Sequence, residues 1–198
     1  MQVRELIVPG AFEFTPTQHG DDRGLFLEWF KVEQLQEAIG HPLTLAQANL
    51  SVSRAASLRG VHFADVPPGQ AKYVTCPRGA VLDYIVDIRV GSPTFGEADV
   101  VRLDGEHRRA VYLPEGLGHA FLALEDHSTL TYLCSTGYAP GREHGINPVD
   151  PDLGLPLPGG IDFILSDKDR DAPTLAQAAE SGLLPSWDVC RKYVAELS

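Results

Sequence analysis

The segment Ser57-Leu58-Arg59-Gly60-Val61-His62-Phe63 carries a guanidinium and an imidazole on one short apolar stretch. An imidazole titrates near neutrality and is suited to act as a general base. Strict strand alternation would send Arg59 and His62 to opposite faces. Both reach one cavity only if the strand is irregular, and Gly60 between them permits a bulge. The alternative is a surface arginine beside a hydrogen-bonded core histidine. Lys72, within Gly69-Gln70-Ala71-Lys72-Tyr73-Val74-Thr75-Cys76, poses a similar choice. Facing inward it needs a partner or a ligand; facing outward it is an ordinary solvated charge. His119 follows the loop Pro114-Glu115-Gly116-Leu117-Gly118, at the mouth of a strand, where barrels present ligand contacts. Tyr132 is mid-strand, the usual place of a core tyrosine with a bonded hydroxyl. Tyr138 follows Gly137 in a loop, where an exposed aromatic is more suggestive. The run Ser166-Asp167-Lys168-Asp169-Arg170-Asp171 precedes a helix. It reads as a solvated loop with a helix cap, or as the source of a carboxylate that reaches back to orient a histidine.

Other chemistries find fewer residues. There is no nucleophile elbow, phosphate loop or dinucleotide fingerprint. Of the seven histidines, His62 and His119 are expected to look into a barrel, while His19, His41, His107, His127 and His144 fall in loops or at turns. A metal shell would need more ligands than that, so no metal is expected. Cys76, Cys134 and Cys190 are odd in number and widely spaced, without a disulfide or zinc pattern.

These side chains need a scaffold, and 198 residues with 43% apolar and 22% charged content suffice for one domain with a core. No apolar run spans a bilayer and no signal-peptide core follows Met1, so a cytoplasmic location is expected. A formal charge of −11 without a basic tract argues against nucleic acid. A small anionic ligand needs only a few local cations.

Residues 23–30 read as a strand and Lys31 to Gly40 as a short helix. Strands are expected near 46–52, 58–63, 71–76, 80–88, 98–103, 109–113, 119–124 and 128–135, with turn signals between them. Many short strands at this spacing imply an all-β sandwich or barrel, with a double-sheet jelly roll the natural candidate. Residues 138–160 look irregular. Two helices close the chain, one beginning near Pro173 and ending near Gly182, the other about Trp187 to Leu197. The chain is read as one domain, 1–198, with a helical segment at about 172–198.

In order and spacing, Asp22-Arg23-Gly24-Leu25-Phe26, Gln47-Ala48-Asn49-Leu50-Ser51, Leu58-Arg59-Gly60-Val61-His62, Gly91-Ser92-Pro93-Thr94-Phe95-Gly96, Pro114 through Phe121, and Leu165-Ser166-Asp167-Lys168-Asp169 resemble the dTDP-4-keto-6-deoxyglucose epimerases. This is the family of the rhamnose-pathway 3,5-epimerase, and the resemblance runs from about Phe12 to Leu183. It implies a cupin-like jelly-roll homodimer without metal or redox cofactor. It implies His62 as general base, Asp169 holding its ring, Tyr132 as acid on the opposite sugar face, and Lys72 near the sugar O4. Arg59 and His119 would serve the sugar-diphosphate site. Gln47, Asn49, Tyr138 and Glu143 match nucleotide- or sugar-contacting positions, and Arg23, Phe26 and Glu28 match a strand reaching the neighbouring subunit's nucleotide.

The chain departs from the 3,5-epimerase pattern in places. Phe63-Ala64 stand where that pattern usually has Tyr-Gln, Glu97-Ala98 where Trp is usual, and Asn147-Pro148-Val149-Asp150-Pro151 where Trp-Asn-Asp-Pro is usual. The His-Phe form with Val66 to Cys76 resembles the antibiotic-sugar branch that inverts one centre, so C3 epimerisation of a dTDP-4-keto-6-deoxy sugar is the expected activity. The rivals are 3,5- or 5-epimerisation, a non-catalytic sugar-nucleotide binding jelly roll, and a metal-dependent isomerase or dioxygenase of the same architecture.

Overall fold

A computed structural model describes residues 1–197; Ser198 lies outside the described residues. The strands are β1 (Gln2–Glu5), β2 (Phe12–Thr15), β3 (Gln18–Asp21), β4 (Gly24–Leu27), β5 (Gln47–Ser53), β6 (Leu58–Ala64), β7 (Lys72–Arg78), β8 (Ala80–Val86), β9 (Ala98–Asp104), β10 (Ala110–Leu113), β11 (Gly118–Ala123), β12 (Ser128–Cys134) and β13 (Glu143–Gly145). The helices are α1 (Val32–Ile39), α2 (Asp167–Arg170), α3 (Leu175–Glu180) and α4 (Trp187–Glu196). One sheet has the order β1-β2-β10-β7-β12-β5, the other β13-β6-β11-β8-β9. Their long-range antiparallel pairings make the jelly roll expected from the strand spacing.

Between the sheets lies a core that includes Val74, Val81, Ile85, Leu103, Val111 and Leu130. The five-stranded sheet is also covered on its other face. There Val61, Phe63, Tyr84 and Leu122 pack against Ile146, Leu153, Leu175 and Ala178 from the C-terminal segment. The six-stranded sheet has a comparable cover, where Tyr73 and Tyr112 meet Leu35 of α1, Trp29 and Phe30. Burial on both faces explains why β11 is buried at every position and reads as a continuous apolar run rather than an alternating one. Each large side chain buried this way contributes about 1.5–3 kcal/mol.

Several local readings change. The strand expected at 23–30 is the second arm of the β3–β4 hairpin and ends at Leu27. From Glu28 the chain leaves the hairpin so that Trp29 and Phe30 can turn inward against Tyr73. Pro173 precedes helix α3 rather than opening it. Thr174 is the N-cap, in a reciprocal capping box with Gln177. The stretch after Gly137 is less irregular than its composition suggests, because β13 pairs with the edge of β6. His19 and His144 accordingly lie in strands rather than turns.

Candidate active site

Strand β6 carries the first half of the site, and its irregularity decides the geometry. His62 pairs with His119 of β11, but Arg59 pairs with Phe121, so β6 spends one residue more than its partner between the two pairs. Gly60 fills that bulge with φ +117°, and a Cβ there would stand 2.5 Å from the His119 carbonyl oxygen. Only glycine fits both demands. The extra residue resets the alternation, and Arg59 and His62 line one opening of about 360 Å³ together with Asp169. The bulge that Gly60 permits is present, and Arg59 itself is exposed.

Asp169 belongs to α2, where Ser166 caps the helix by accepting from the Asp169 amide. The charge run therefore both caps a helix and supplies a carboxylate. Asp169 is buried, and its Oδ1 stands 2.6 Å from Nε2 of His62. A carboxylate can only accept, so the ring proton sits on Nε2 and Nδ1 keeps its lone pair. Burial alone would raise the Asp169 pKa. The hydrogen bond and charge of His62, with donors from Ser166 and Gly60, outweigh it and hold the carboxyl below its ordinary value.

The second half comes from the opposite sheet. A cavity of about 230 Å³ is lined by His62, Phe63 and Ala64 of β6 and by Lys72 of β7, Tyr132 of β12 and Gln47 and Asn49 of β5. Gln70, Tyr138 and Glu143 complete its wall. His62 and Tyr132 thus enter one space from different sheets. Tyr132 is half-buried, and burial, reinforced by Cys134, raises its pKa, so the phenol stays protonated at neutral pH. Lys72 faces inward and is buried. Burial lowers its pKa, while Cys134, Glu143, Asp83 and Glu115 act the other way. Among the described residues its ammonium has no hydrogen-bond or ion-pair partner, which leaves it available to a ligand.

Polar side chains reach this cavity from β5 because that strand is inverted: Gln47, Asn49 and Ser51 face inward and Leu50 and Val52 outward. Gln47 donates to Asn49 across 2.8 Å and accepts from the Tyr138 amide across 2.9 Å, tying the loop to the strand. Glu143 accepts from the Ala139 amide.

The structure does not bring every expected residue here. Arg23, Phe26 and Glu28 lie on or just after the β3–β4 hairpin, exposed and outside this cavity. Arg23 pairs with Asp21 and Glu28 with Lys31. His119 sits in the strand beside His62 but does not line the cavity; its Nε2 lies 2.9 Å from Asp83, which is wholly buried. Arg59 stands at the outer opening and donates to Ser53. Sequence reasoning missed Asp83, Gln70 and Cys134. Asp83 lies in Val81-Leu82-Asp83-Tyr84-Ile85, and a carboxylate inside so apolar a run is the signal that could have found it. Among the described residues no three His, Cys, Asp or Glu side chains converge in a way that could hold a metal ion. Among the described residues no helix is long and apolar enough to cross a membrane.

A carboxylate-held imidazole and a phenol that enter one cavity of the jelly roll offer a base and an acid to a single bound molecule. The chain belongs to the dTDP-4-dehydrorhamnose 3,5-epimerase family, whose profile matches residues 5–177. It is 56% identical over 197 residues to a dTDP-4-dehydrorhamnose 3,5-epimerase of Mycolicibacterium smegmatis, covering 100% of this chain and 97% of that one. The RmlC epimerase of Mycobacterium tuberculosis superposes with a TM-score of 0.97 at 52% identity, over 100% of both chains. ChmJ, a 3'-monoepimerase from Streptomyces bikiniensis solved in complex with dTDP-quinovose, superposes with a TM-score of 0.95 at 50% identity, over 97% of each chain.

Proposed function

We propose that this protein inverts C3 of a dTDP-4-keto-6-deoxyglucose-type sugar in deoxysugar biosynthesis for an antibiotic. The observation that carries the reading is the entry of His62 and Tyr132 into one cavity from opposite sheets, with Lys72 buried beside them.

The ketone at C4 acidifies the neighbouring C–H bond. Nδ1 of His62 takes that proton, and the bonding pair moves to the C4 oxygen as an enolate. The buried Lys72 ammonium stabilises this oxyanion. The enolate carbon then takes a proton from the Tyr132 hydroxyl on the opposite face, which inverts the centre. Solvent afterwards returns the imidazolium proton to the phenolate. Asp169 fixes the tautomer and supports the imidazolium, and each such proton transfer contributes on the order of 10²–10⁴ in rate. Arg59 and His119 serve the sugar diphosphate, while Gln47, Asn49, Tyr138 and Glu143 hold the sugar and nucleotide.

A single centre is favoured because Phe63 and Ala64, where the chain departs from the 3,5-epimerase pattern, are both cavity-lining. The relatives' names divide between the two activities, so 3,5-epimerisation is the second reading. Incubation with dTDP-4-keto-6-deoxyglucose in D₂O separates them. Deuterium and inversion at C3 alone are expected; both at C3 and C5 would establish the second reading, and neither would overturn the enzyme.

The whole chain, 1–198, works as one domain, in the cytoplasm and as a homodimer. Exposure of Phe26 (66%) and Leu50 (64%) supports the dimer, with the Arg23–Glu28 segment completing the partner's nucleotide site. A fully active monomer by sedimentation would contradict it. No metal or other cofactor takes part, and activity should survive chelators; loss with EDTA and recovery with one divalent ion would overturn that.

A further inference from the structure

A second cavity, of about 430 Å³, opens between α1, α4 and the loop that carries Glu115, and none of its lining residues lines the cavity of His62 and Tyr132. Its walls are largely apolar, with Phe12, Ile39, Trp187 and Val194 among them. Three polar side chains in this wall are buried and incompletely partnered. Among the described residues, Nε2 of His41, the hydroxyl of Tyr112 and Oε2 of Glu115 have no hydrogen-bond partner, and the residues are only 3%, 1% and 2% exposed.

Buried polar groups in native proteins are nearly always paired, so three orphans around one space call for a common partner. Their chemistry says what it must bring. Nδ1 of His41 lies 3.2 Å from the Pro42 carbonyl, which can only accept, so Nδ1 carries the proton and Nε2 offers a lone pair. Oε1 of Glu115 accepts from Ser135, leaving Oε2 as a second acceptor. The Tyr112 hydroxyl completes the set, and burial together with the nearby Glu115 holds that phenol well above its ordinary pKa. The set is rich in acceptors and poor in donors. The two cations that line this cavity do not fill the gap. Arg89 is bound through two nitrogens to Asp87 at 2.8 Å and also donates to the Pro9 carbonyl. The exposed Arg191 lies against Trp187.

We propose that this cavity is a second ligand site, which takes a small molecule with an apolar body and a hydrogen-bond-donating head, a primary ammonium above all. The head meets Glu115, His41 and Tyr112, and the body lies along Phe12, Ile39 and Val194.

The test uses the full chain and 2-phenylethylammonium as probe, with 2-phenylethyl methyl ether as the acceptor-only control. Ligand-observed NMR titrations should give saturable binding of the ammonium and binding of the ether weaker by about tenfold or more. Glu115→Gln should weaken the ammonium by a similar factor. Ala195→Phe, at the cavity's α4 wall, should block it while leaving epimerase turnover unchanged. A co-crystal should place the nitrogen on Glu115. Equal binding of ammonium and ether would overturn the proposal, as would unchanged binding in Ala195→Phe. So would absence of saturable binding with only water on the three atoms, or a crystal in which a second copy's side chain fills the space.

Discussion

Two histidine–aspartate pairs stand side by side on neighbouring strands, and only one of them lines the cavity that Tyr132 enters. His62 and His119 are direct partners across β6 and β11, and each holds a buried carboxylate, Asp169 at 2.6 Å and Asp83 at 2.9 Å. The His62 side chain is 43% exposed and that of His119 is 10% exposed. The local chemistry is nearly the same. The difference comes from the supporting element: Asp169 arrives from α2, outside the sheet, whereas Asp83 lies on β8 within it. A pair tied to a peripheral helix can present its ring to a cavity, while a pair tied within the sheet is locked into the wall. A histidine–carboxylate pair is therefore not by itself a catalytic unit, and access decides.

The largest effect that would separate the two pairs is expected for His62→Ala. It should lower turnover by about 10²–10⁴-fold and spare dTDP binding, measured by steady-state kinetics and calorimetry. Activity within a few-fold of wild type would remove His62 as the base. Tyr132→Phe keeps the ring and its packing, so folding should survive. His62 can still remove and return the C3 proton on one face, so the variant should exchange that hydrogen in D₂O while forming little inverted product. Inversion at the wild-type rate would mean that another acid serves that face.

Asp169→Asn should come next. A hydrogen bond to a charged group contributes about 1.5–3 kcal/mol, so turnover should fall about tenfold to a hundredfold without unfolding. Asp83→Asn should do the reverse, lowering the melting temperature more than the turnover, because it disturbs a buried pair that does not line the cavity. If Asp83→Asn cost more turnover than Asp169→Asn, the contrast between working and locked pairs would collapse.

The smallest effect concerns acid stability. The folded-state pKa of Asp169 lies below its ordinary value near 3.8. Its carboxylate therefore contributes stability that is fully present above that value and is lost as pH falls through the lower folded one. Chemical denaturation of wild type and Asp169→Asn should differ most above about pH 4 and converge in stronger acid. A gap that stays constant to low pH would show that Asp169 acts through packing instead.

Residue types supplied the candidates for a site, and the family resemblance supplied their expected roles. The sequence itself contains His62, Asp169, Tyr132 and Lys72 in spaced motifs, and it implied a many-stranded β fold through its turn signals. The glycine at position 60 even marked where a bulge was possible. Yet the chain could not say whether Lys72 faced inward, because with both faces of the sheet covered the strands around it lose the alternation that reports sidedness. Nor could it foresee Trp29 and Phe30 leaving their strand for Tyr73, or β13 adding to the sheet edge, since both follow from contacts with residues far along the chain. Residue identity determined which chemistry was available, because acids, bases and donors are properties of side chains. Tertiary structure alone decided which imidazole meets the cavity, because exposure depends on the distant element that supplies each carboxylate and on the one extra residue that turns β6.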